Sequence, residues 1–164
     1  KFPAGRQEIV YDGEFQVVID FAHTPNSFSR MLPALKKASV GRLIHVFGCA
    51  GERDHSKRPL MGGISSENAD IIVLTAEDPR SENIQDIYAQ IELGIKDYKG
   101  ELFEIPDRQE AISTAVRLAK KGDTIVITGK GHEQSMNLGR GEIPWSDHSA
   151  VKHALQSTIN KLTN

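Results

Sequence analysis

The chain has 164 residues, 38% of them hydrophobic and 26% charged, and a formal net charge of -2 at pH 7 with acids and bases interspersed. This length and balance give one domain with a real core, burying about 70% of its unfolded surface, and exclude disordered, collagenous and coiled-coil classes. The lack of a basic block excludes a nucleic-acid groove or an anionic membrane surface as the main partner. Small polar ligands are expected instead, and the single cysteine, which excludes an internal disulfide, makes a cytoplasmic location the expectation.

No apolar run approaches the ~20 residues of a membrane span, and the start lacks the basic-then-apolar layout of a signal peptide, so no membrane insertion is expected. Lys1 to Arg6 reads as a segment leaving another domain. The first strand is predicted over Phe15 to Ile19, with Asp20 at its end. Thr24 then caps a helix with Pro25 at its first position, and Phe28, Met31, Leu32 and Leu35 recur at helical spacing to a stop near Gly41. Pro33 lies inside that pattern and is expected to bend it. A second strand, Leu43 to Phe47, empties into the glycine-rich loop Gly48 to Arg58. The following helix starts around Arg58-Pro59 and ends before Asp70, with Gly62 and Gly63 weakening it.

Ile71 to Leu74 is the third strand and runs into Thr75 to Glu82. The stripe Ile84, Ile87, Ile91 and Ile95 places a helix over Asn83 to Ile95. Leu102 to Ile105 is a strand, and a helix capped by Asp107 extends to Lys121. Thr124 to Thr128 is the last predicted strand and leads into Gly129 to Gln134. Trp145 is expected to anchor the next segment on the sheet, and a helix from about Asp147 to Leu162 closes the chain. Uninterrupted apolar strands alternating with helices define an α/β fold with a mostly parallel sheet covered on both faces. In such folds ligands bind beyond the carboxyl ends of the strands, where these polar loops fall.

Each loop carries a chemistry and a plainer alternative. Asp20 and the helix start beside His23 suit ribose hydroxyls and a phosphate, or serve as caps only. Arg53 suits a substrate carboxylate, against a merely solvated loop. The Glu77-Asp78-Pro79-Arg80 turn suits a zwitterion, its acids taking an ammonium and Arg80 a carboxylate, against a turn held by local charge pairs. After Gly129, Glu133 suits a cation or amine and Lys130 or His132 an anion. A phosphate loop of the Gly-Lys-Ser/Thr type is absent, as is a Gly-x-Gly-x-x-Gly turn. Cys49 reads as a small buried residue rather than a nucleophile. His45, His148 and His153 read as packing or surface residues, with no metal site.

The ordered set of motifs resembles the C-terminal domain of the Mur ligase family nearly end to end. It comprises Gly5-Arg6-Gln7-Glu8, Asp20 to Pro25, Phe47 to Asp54, Lys57 to Gly62, Asp78 to Glu82, Asp107-Arg108 and Gly129 to Glu133. The resemblance implies a Rossmann-like sheet of about six strands, with residues 1–13 a hinge from a central ATPase domain and 14–164 the amino-acid-binding domain. The implied activity is ATP-dependent addition of a diamino acid to UDP-MurNAc-L-Ala-D-Glu during peptidoglycan synthesis. ATP and Mg2+ would be held mainly by the central domain, so the isolated domain is expected to be inactive and to carry no catalytic residue of its own. By motif, Arg53, Glu77, Asp78, Pro79, Arg80, Gly129 and Glu133 resemble the amino-acid pocket, and Arg6, Asp20 and His23 the ATP-facing edge.

Family members adding meso-diaminopimelate usually carry Asp-Asn-Pro-Arg where this chain has Glu77-Asp78-Pro79-Arg80. Arg80 favours a distal carboxylate, whereas Asp78 adds a negative charge that would repel it or favour an amine. Diaminopimelate stands first, with L-lysine or ornithine as alternatives. A folylpolyglutamate or cyanophycin-type ligase domain, or a non-catalytic amino-acid or nucleotide-binding module, are the competing identities.

Overall fold

A computed structural model describes residues 5–164; the expectation for Lys1 to Ala4 lies outside the described residues. A six-stranded sheet has the order β1-β2-β6-β3-β4-β5, built from β1 (Glu8–Asp12), β2 (Gln16–Asp20), β3 (Leu43–Phe47), β4 (Ile71–Leu74), β5 (Glu101–Glu104) and β6 (Thr124–Thr128). All neighbours are parallel except β1 on β2. Five helices cover it: α1 (Pro25–Ala38), α2 (Lys57–Asn68), α3 (Ile84–Glu92), α4 (Arg108–Leu118) and α5 (Asp147–Thr163). The α/β class and the mostly parallel sheet are as the sequence indicates.

The continuous apolar strands are continuous because both faces are covered. Successive residues of β3 go to opposite sides: Leu43 and Phe47 join Phe28, Leu32, Met61 and Ile91 in one core, while Ile44 and Val46 join Ile112, Ala115 and Val151 in the other. The steps β2 to β3, β3 to β4 and β4 to β5 progress the same way across the sheet, and α1, α2 and α3 share one face. The return from β5 to β6 puts α4 on the opposite face, as right-handed crossovers require. Because β6 enters between β2 and β3, the loops after β2, β6, β3 and β4 stand side by side at one edge.

Two helix starts follow the predicted caps Thr24 and Asp107, and Asn83 and Ser146 cap α3 and α5 in the same way; each of the four side chains accepts a backbone N–H group of the first turn. α1 runs on through Pro33, which lies on its exposed side. α3 stops at Glu92 rather than Ile95, since Gly94 and Ile95 donate in tight turns to Ile91 and Glu92. α4 stops at Leu118, with Ala119 already extended.

Two features lie beyond the predicted strands. Residues 8–12, assigned to the hinge, form the antiparallel edge strand β1, whose apolar run, Ile9-Val10-Tyr11, is only three residues long and partly exposed. The hairpin of β7 (Ser135–Asn137) and β8 (Glu142–Pro144) has strands too short to show a period. Among the described residues no helix is long and apolar enough to cross a membrane.

Candidate functional site

The loops after β3 and β4 are joined backbone to backbone. Gly51 donates to the Asp78 carbonyl at 2.9 Å, and Arg80 Nη1 donates to the Gly51 carbonyl at 2.7 Å. A Cβ on Gly51 would stand 1.9 Å from the Pro79 carbonyl oxygen, so the approach requires glycine. Asp78 and Arg80, on either side of Pro79, both hold left-handed conformations, with φ of 46° and 53°. Such backbone persists where its surroundings enforce it, and it is concentrated at ligand-binding turns. The hairpin supplies part of that enforcement: Asn137 N–H donates to Asp78 Oδ1 at 2.8 Å, and Arg80 N–H donates to the Asn137 carbonyl at 3.1 Å.

Lys130 is the hub of the cluster. Gly129 (φ 107°) and Gly131 (φ 56°) turn it inward until it is 1% exposed. Its ammonium lies 3.0 and 2.9 Å from the two Asp78 oxygens and 2.8 Å from Glu133 Oε2. Burial works against its charge, but the hydrogen bonds to Glu133 and Asp78 outweigh it and raise its pKa. The negative charge that Asp78 adds to the turn is therefore compensated inside the protein. Glu133, half-exposed, is already paired as well.

Glu77 lies against Gly129, where a Cβ would come within 2.6 Å of its carboxylate. Burial pushes its pKa up to about 8, opposed by the charges of Arg108, Lys57 and Lys130, so it is largely protonated at neutral pH. Arg53 sits at the exposed tip of the neighbouring loop, its Nη1 donating to the Glu52 carbonyl at 3.0 Å. Beneath it the buried Arg58 binds Glu82 at 2.6 Å, Gln90 at 2.8 Å and the Ala50 carbonyl at 2.9 Å. The pairing of Arg58 with Glu82, of Lys130 with Asp78 and of Arg108 with Asp147 had no local signal, because these partners are 24, 52 and 39 residues apart in the chain.

Asp20 and His23 face a second feature, an open cleft of about 560 Å³ lined by Arg6, Gln7, Phe21 and Arg30 among others. Asp20 accepts N–H groups from Gln7 at 2.7 Å and Ala22 at 2.6 Å, so it fastens the incoming segment to the end of β2. A Cβ on Gly5 would lie 2.4 Å from the His132 amide, which sets that segment against the Gly129 loop as well. The rings of Phe21 and His23 meet edge-on at 4.7 Å. Two guanidinium groups and an aromatic wall fit a nucleotide. The cleft and the Lys130 cluster are bridged by Lys57, which donates to the His23 carbonyl at 3.1 Å and whose charge acts on Glu77.

The remaining candidates are structural. His45 is buried between Ser65 Oγ at 2.7 Å and Thr128 Oγ1 at 2.9 Å and stacks on Phe47, and burial holds its pKa down to about 3. His148 pairs with Glu8 at 2.9 Å, and His153 is exposed. Cys49 is buried with its thiol pushed up to about 12, which makes it no nucleophile. Trp145 packs on the β-sheet face shared with α4 and α5 and donates to Asp147 at 2.8 Å. Among the described residues no group of three or more His, Cys, Asp or Glu side chains is arranged for a metal ion.

Residues 5–131 match the family model described as "Mur ligase, glutamate ligase domain". The chain is 46% identical over 156 residues to the UDP-N-acetylmuramyl-tripeptide synthetase of Borreliella afzelii (strain PKo), covering 93% of this chain and 31% of the relative. It is 47% identical over 152 residues to the UDP-N-acetylmuramoyl-L-alanyl-D-glutamate--2,6-diaminopimelate ligase of Caldanaerobacter subterraneus subsp. tengcongensis, covering 92% and 32%. A solved structure of a ligase of the latter name superposes with a TM-score of 0.89 at 36% identity, over 96% of this chain and 32% of that one. A folylpolyglutamate synthase/dihydrofolate synthase from Yersinia pestis CO92 gives 0.61 at 18% identity over 96% and 32%, a likeness of fold alone. The chain spans about a third of the length of the curated relatives it matches.

Proposed function

We propose a function from one premise: the chain belongs to the Mur ligase family, with residues 5–131 matching its glutamate ligase domain. It serves as the C-terminal, amino-acid-binding part of a cytoplasmic ATP-dependent ligase that adds a diamino acid, meso-diaminopimelate first, to UDP-MurNAc-L-Ala-D-Glu in peptidoglycan synthesis. The segment 1–13 serves as the hinge, with residues 8–12 of it paired into the sheet as β1, and 14–164 form the rest of the domain, working with N-terminal and central domains that hold the UDP sugar and the phosphates.

The observation that carries this reading is the convergence of Arg80, Asp78, Lys130 and Glu133 from two loops at one sheet edge, beside a nucleotide-sized cleft. ATP, bound with Mg2+ mainly by the central domain, supplies the phosphoryl group that activates the muramoyl-peptide carboxylate. Arg6, Asp20 and His23 form the edge of this domain that faces the nucleotide. Arg53 and Arg80 offer donors to the carboxylates of the amino acid, while Glu133, Glu77 and Pro79 shape the wall around its ammonium groups. The domain's contribution to rate is orientation of the attacking amine, with no acid-base group of its own required.

The test is ligation by the full-length protein, with ATP and UDP-MurNAc-L-Ala-D-Glu, of diaminopimelate, L-lysine and ornithine in parallel. Product with diaminopimelate well ahead of the other two supports the reading. Release of phosphate with none of them, or with glutamate only, overturns it.

A further inference from the structure

We propose that Lys130 determines which distal group of the incoming amino acid is accepted, by acting as the built-in counter-cation of Asp78 and Glu133. This rests on the reading that the two loops form the amino-acid pocket, and it assigns to a buried residue the selection between a distal end that carries a carboxylate beside its ammonium, as in diaminopimelate, and one that carries an ammonium alone, as in lysine.

An ammonium has three N–H donors. That of Lys130 donates to Asp78 Oδ1 and Oδ2 at 3.0 and 2.9 Å and stands 2.8 Å from Glu133 Oε2 as an ion pair, so its charge is met on both sides by the protein's own carboxylates. Its 1% exposure, against 16% for Asp78 and 40% for Glu133, places it behind the two carboxylates as seen from solvent. A ligand thus meets carboxylates whose charge is partly spent, and beside them the Arg80 guanidinium, which is fixed through one nitrogen to Gly51. The three groups sum to one negative charge, and Arg80 brings the wall to neutrality. Glu77 adds little, because burial keeps it largely protonated.

A neutral wall with a guanidinium at its edge admits a distal carboxylate without a like-charge penalty. Without Lys130 the same wall carries a net charge of minus one, which repels the distal carboxylate of diaminopimelate and favours a distal end whose ammonium has no carboxylate beside it. The positive-φ glycines on either side of Lys130 serve this placement: they let the chain fold the lysine inward from the end of β6. Asn137 strengthens it by binding Asp78 from the hairpin side, so the carboxylate cannot swing out to meet a ligand while Lys130 holds its other edge.

The experiment measures kcat/KM of the full-length protein for diaminopimelate and for L-lysine in wild type, Lys130→Met, Lys130→Arg and Asp78→Asn. Lys130→Met is expected to raise the lysine-to-diaminopimelate ratio by about tenfold or more, the scale of one charged hydrogen bond. Lys130→Arg should keep the ratio near that of wild type. Asp78→Asn, which removes charge without burying an unpaired carboxylate, should move the ratio the opposite way by several-fold and carries the test if Lys130→Met does not fold. Equal losses on both substrates in Lys130→Met, or an unmoved ratio in Asp78→Asn, would show Lys130 to be structural only and overturn the proposal. A wild type that ligates neither substrate overturns the functional reading and this inference with it, whereas normal ligation with unmoved ratios sinks the Lys130 assignment alone.

Discussion

Arg108 and Asp147 meet in a two-point ion pair with both side chains closed to solvent, Nε to Oδ1 at 2.8 Å and Nη2 to Oδ2 at 2.9 Å. The guanidinium donates further to the carbonyls of Ala76 at 2.8 Å and Thr128 at 3.1 Å, the residues just before Glu77 and Gly129. One buried cation therefore fixes the bases of both loops of the proposed amino-acid wall. Arg108→Met leaves Asp147 buried and without its cation and should cost roughly 3–5 kcal/mol, read as a fall in the urea midpoint. Arg108→Lys should recover little, because an ammonium lacks the planar fork that reaches two carboxylate oxygens and two carbonyls at once.

His45 gives the fold an acid limit. It is buried and neutral in the folded chain, with a pKa near 3, whereas an exposed histidine titrates near 6.5. Between those values the unfolded chain binds a proton that the folded chain refuses, so its stabilising contribution is present above about pH 6.5 and is lost as pH falls toward 3. Melting curves at pH 7 and pH 5 should show a steeper loss for wild type than for His45→Gln; parallel losses would remove His45 as the cause.

Glu77 works in the opposite direction. Its carboxyl is pushed up to about 8, so between the ordinary carboxylate range and pH 8 the folded chain keeps a proton that the unfolded chain releases. Its contribution is fully present below about pH 4.5 and declines as pH rises through 8. Glu77→Gln should therefore flatten stability between pH 6 and 9, by on the order of 1–3 kcal/mol relative to wild type at the upper end. An unchanged slope would mean that Glu77 is ionised in the fold.

What was legible in the sequence divides along physical lines. β2, β3, β4 and β6 were visible because burial on both faces leaves an unbroken apolar run, and the caps Thr24 and Asp107 were visible because capping is local. β1 escaped because an edge strand needs no such run, and β7 and β8 because three residues carry no period. The glycine turns marked the loops that the fold brings together at the proposed site. Their internal pairing was hidden: Lys130 and Asp78 are 52 residues apart, and so Asp78 read as an added charge when the fold had already met it with a cation.

Gly51 joins the two loops too closely for any side chain. A Cβ there would lie 1.9 Å from the Pro79 carbonyl oxygen and 3.2 Å from Glu82 Cβ, and the Gly51 amide and carbonyl are both committed, to Asp78 and Arg80. Gly51→Ala must part the loops and break those bonds, for a loss of about 1–3 kcal/mol and a marked fall in ligation. Gly141→Ala is the control: its φ of 89° strains the hairpin, but nothing lies within 4 Å of the added Cβ. A ligase that tolerates Gly51→Ala as well as Gly141→Ala would show that the loop junction does not shape the pocket.

Arg80 separates binding from architecture, because it stands at both. Its Nη1 is spent on the Gly51 carbonyl, and in the proposed pocket its remaining donors face the distal carboxylate. Arg80→Ala in the full-length protein should raise KM for diaminopimelate by roughly 10- to 150-fold, equivalent to about 1.5–3 kcal/mol for a charged hydrogen bond, and leave KM for ATP nearly unchanged. Arg80→Lys tells the two roles apart: one ammonium can restore the tie to Gly51 but not the paired donors a carboxylate prefers, so stability should recover while KM for diaminopimelate stays high. If KM for ATP rises in step with that for the amino acid, Arg80 acts through the loop junction and the carboxylate must be held elsewhere, with the exposed Arg53 of the adjoining loop the candidate.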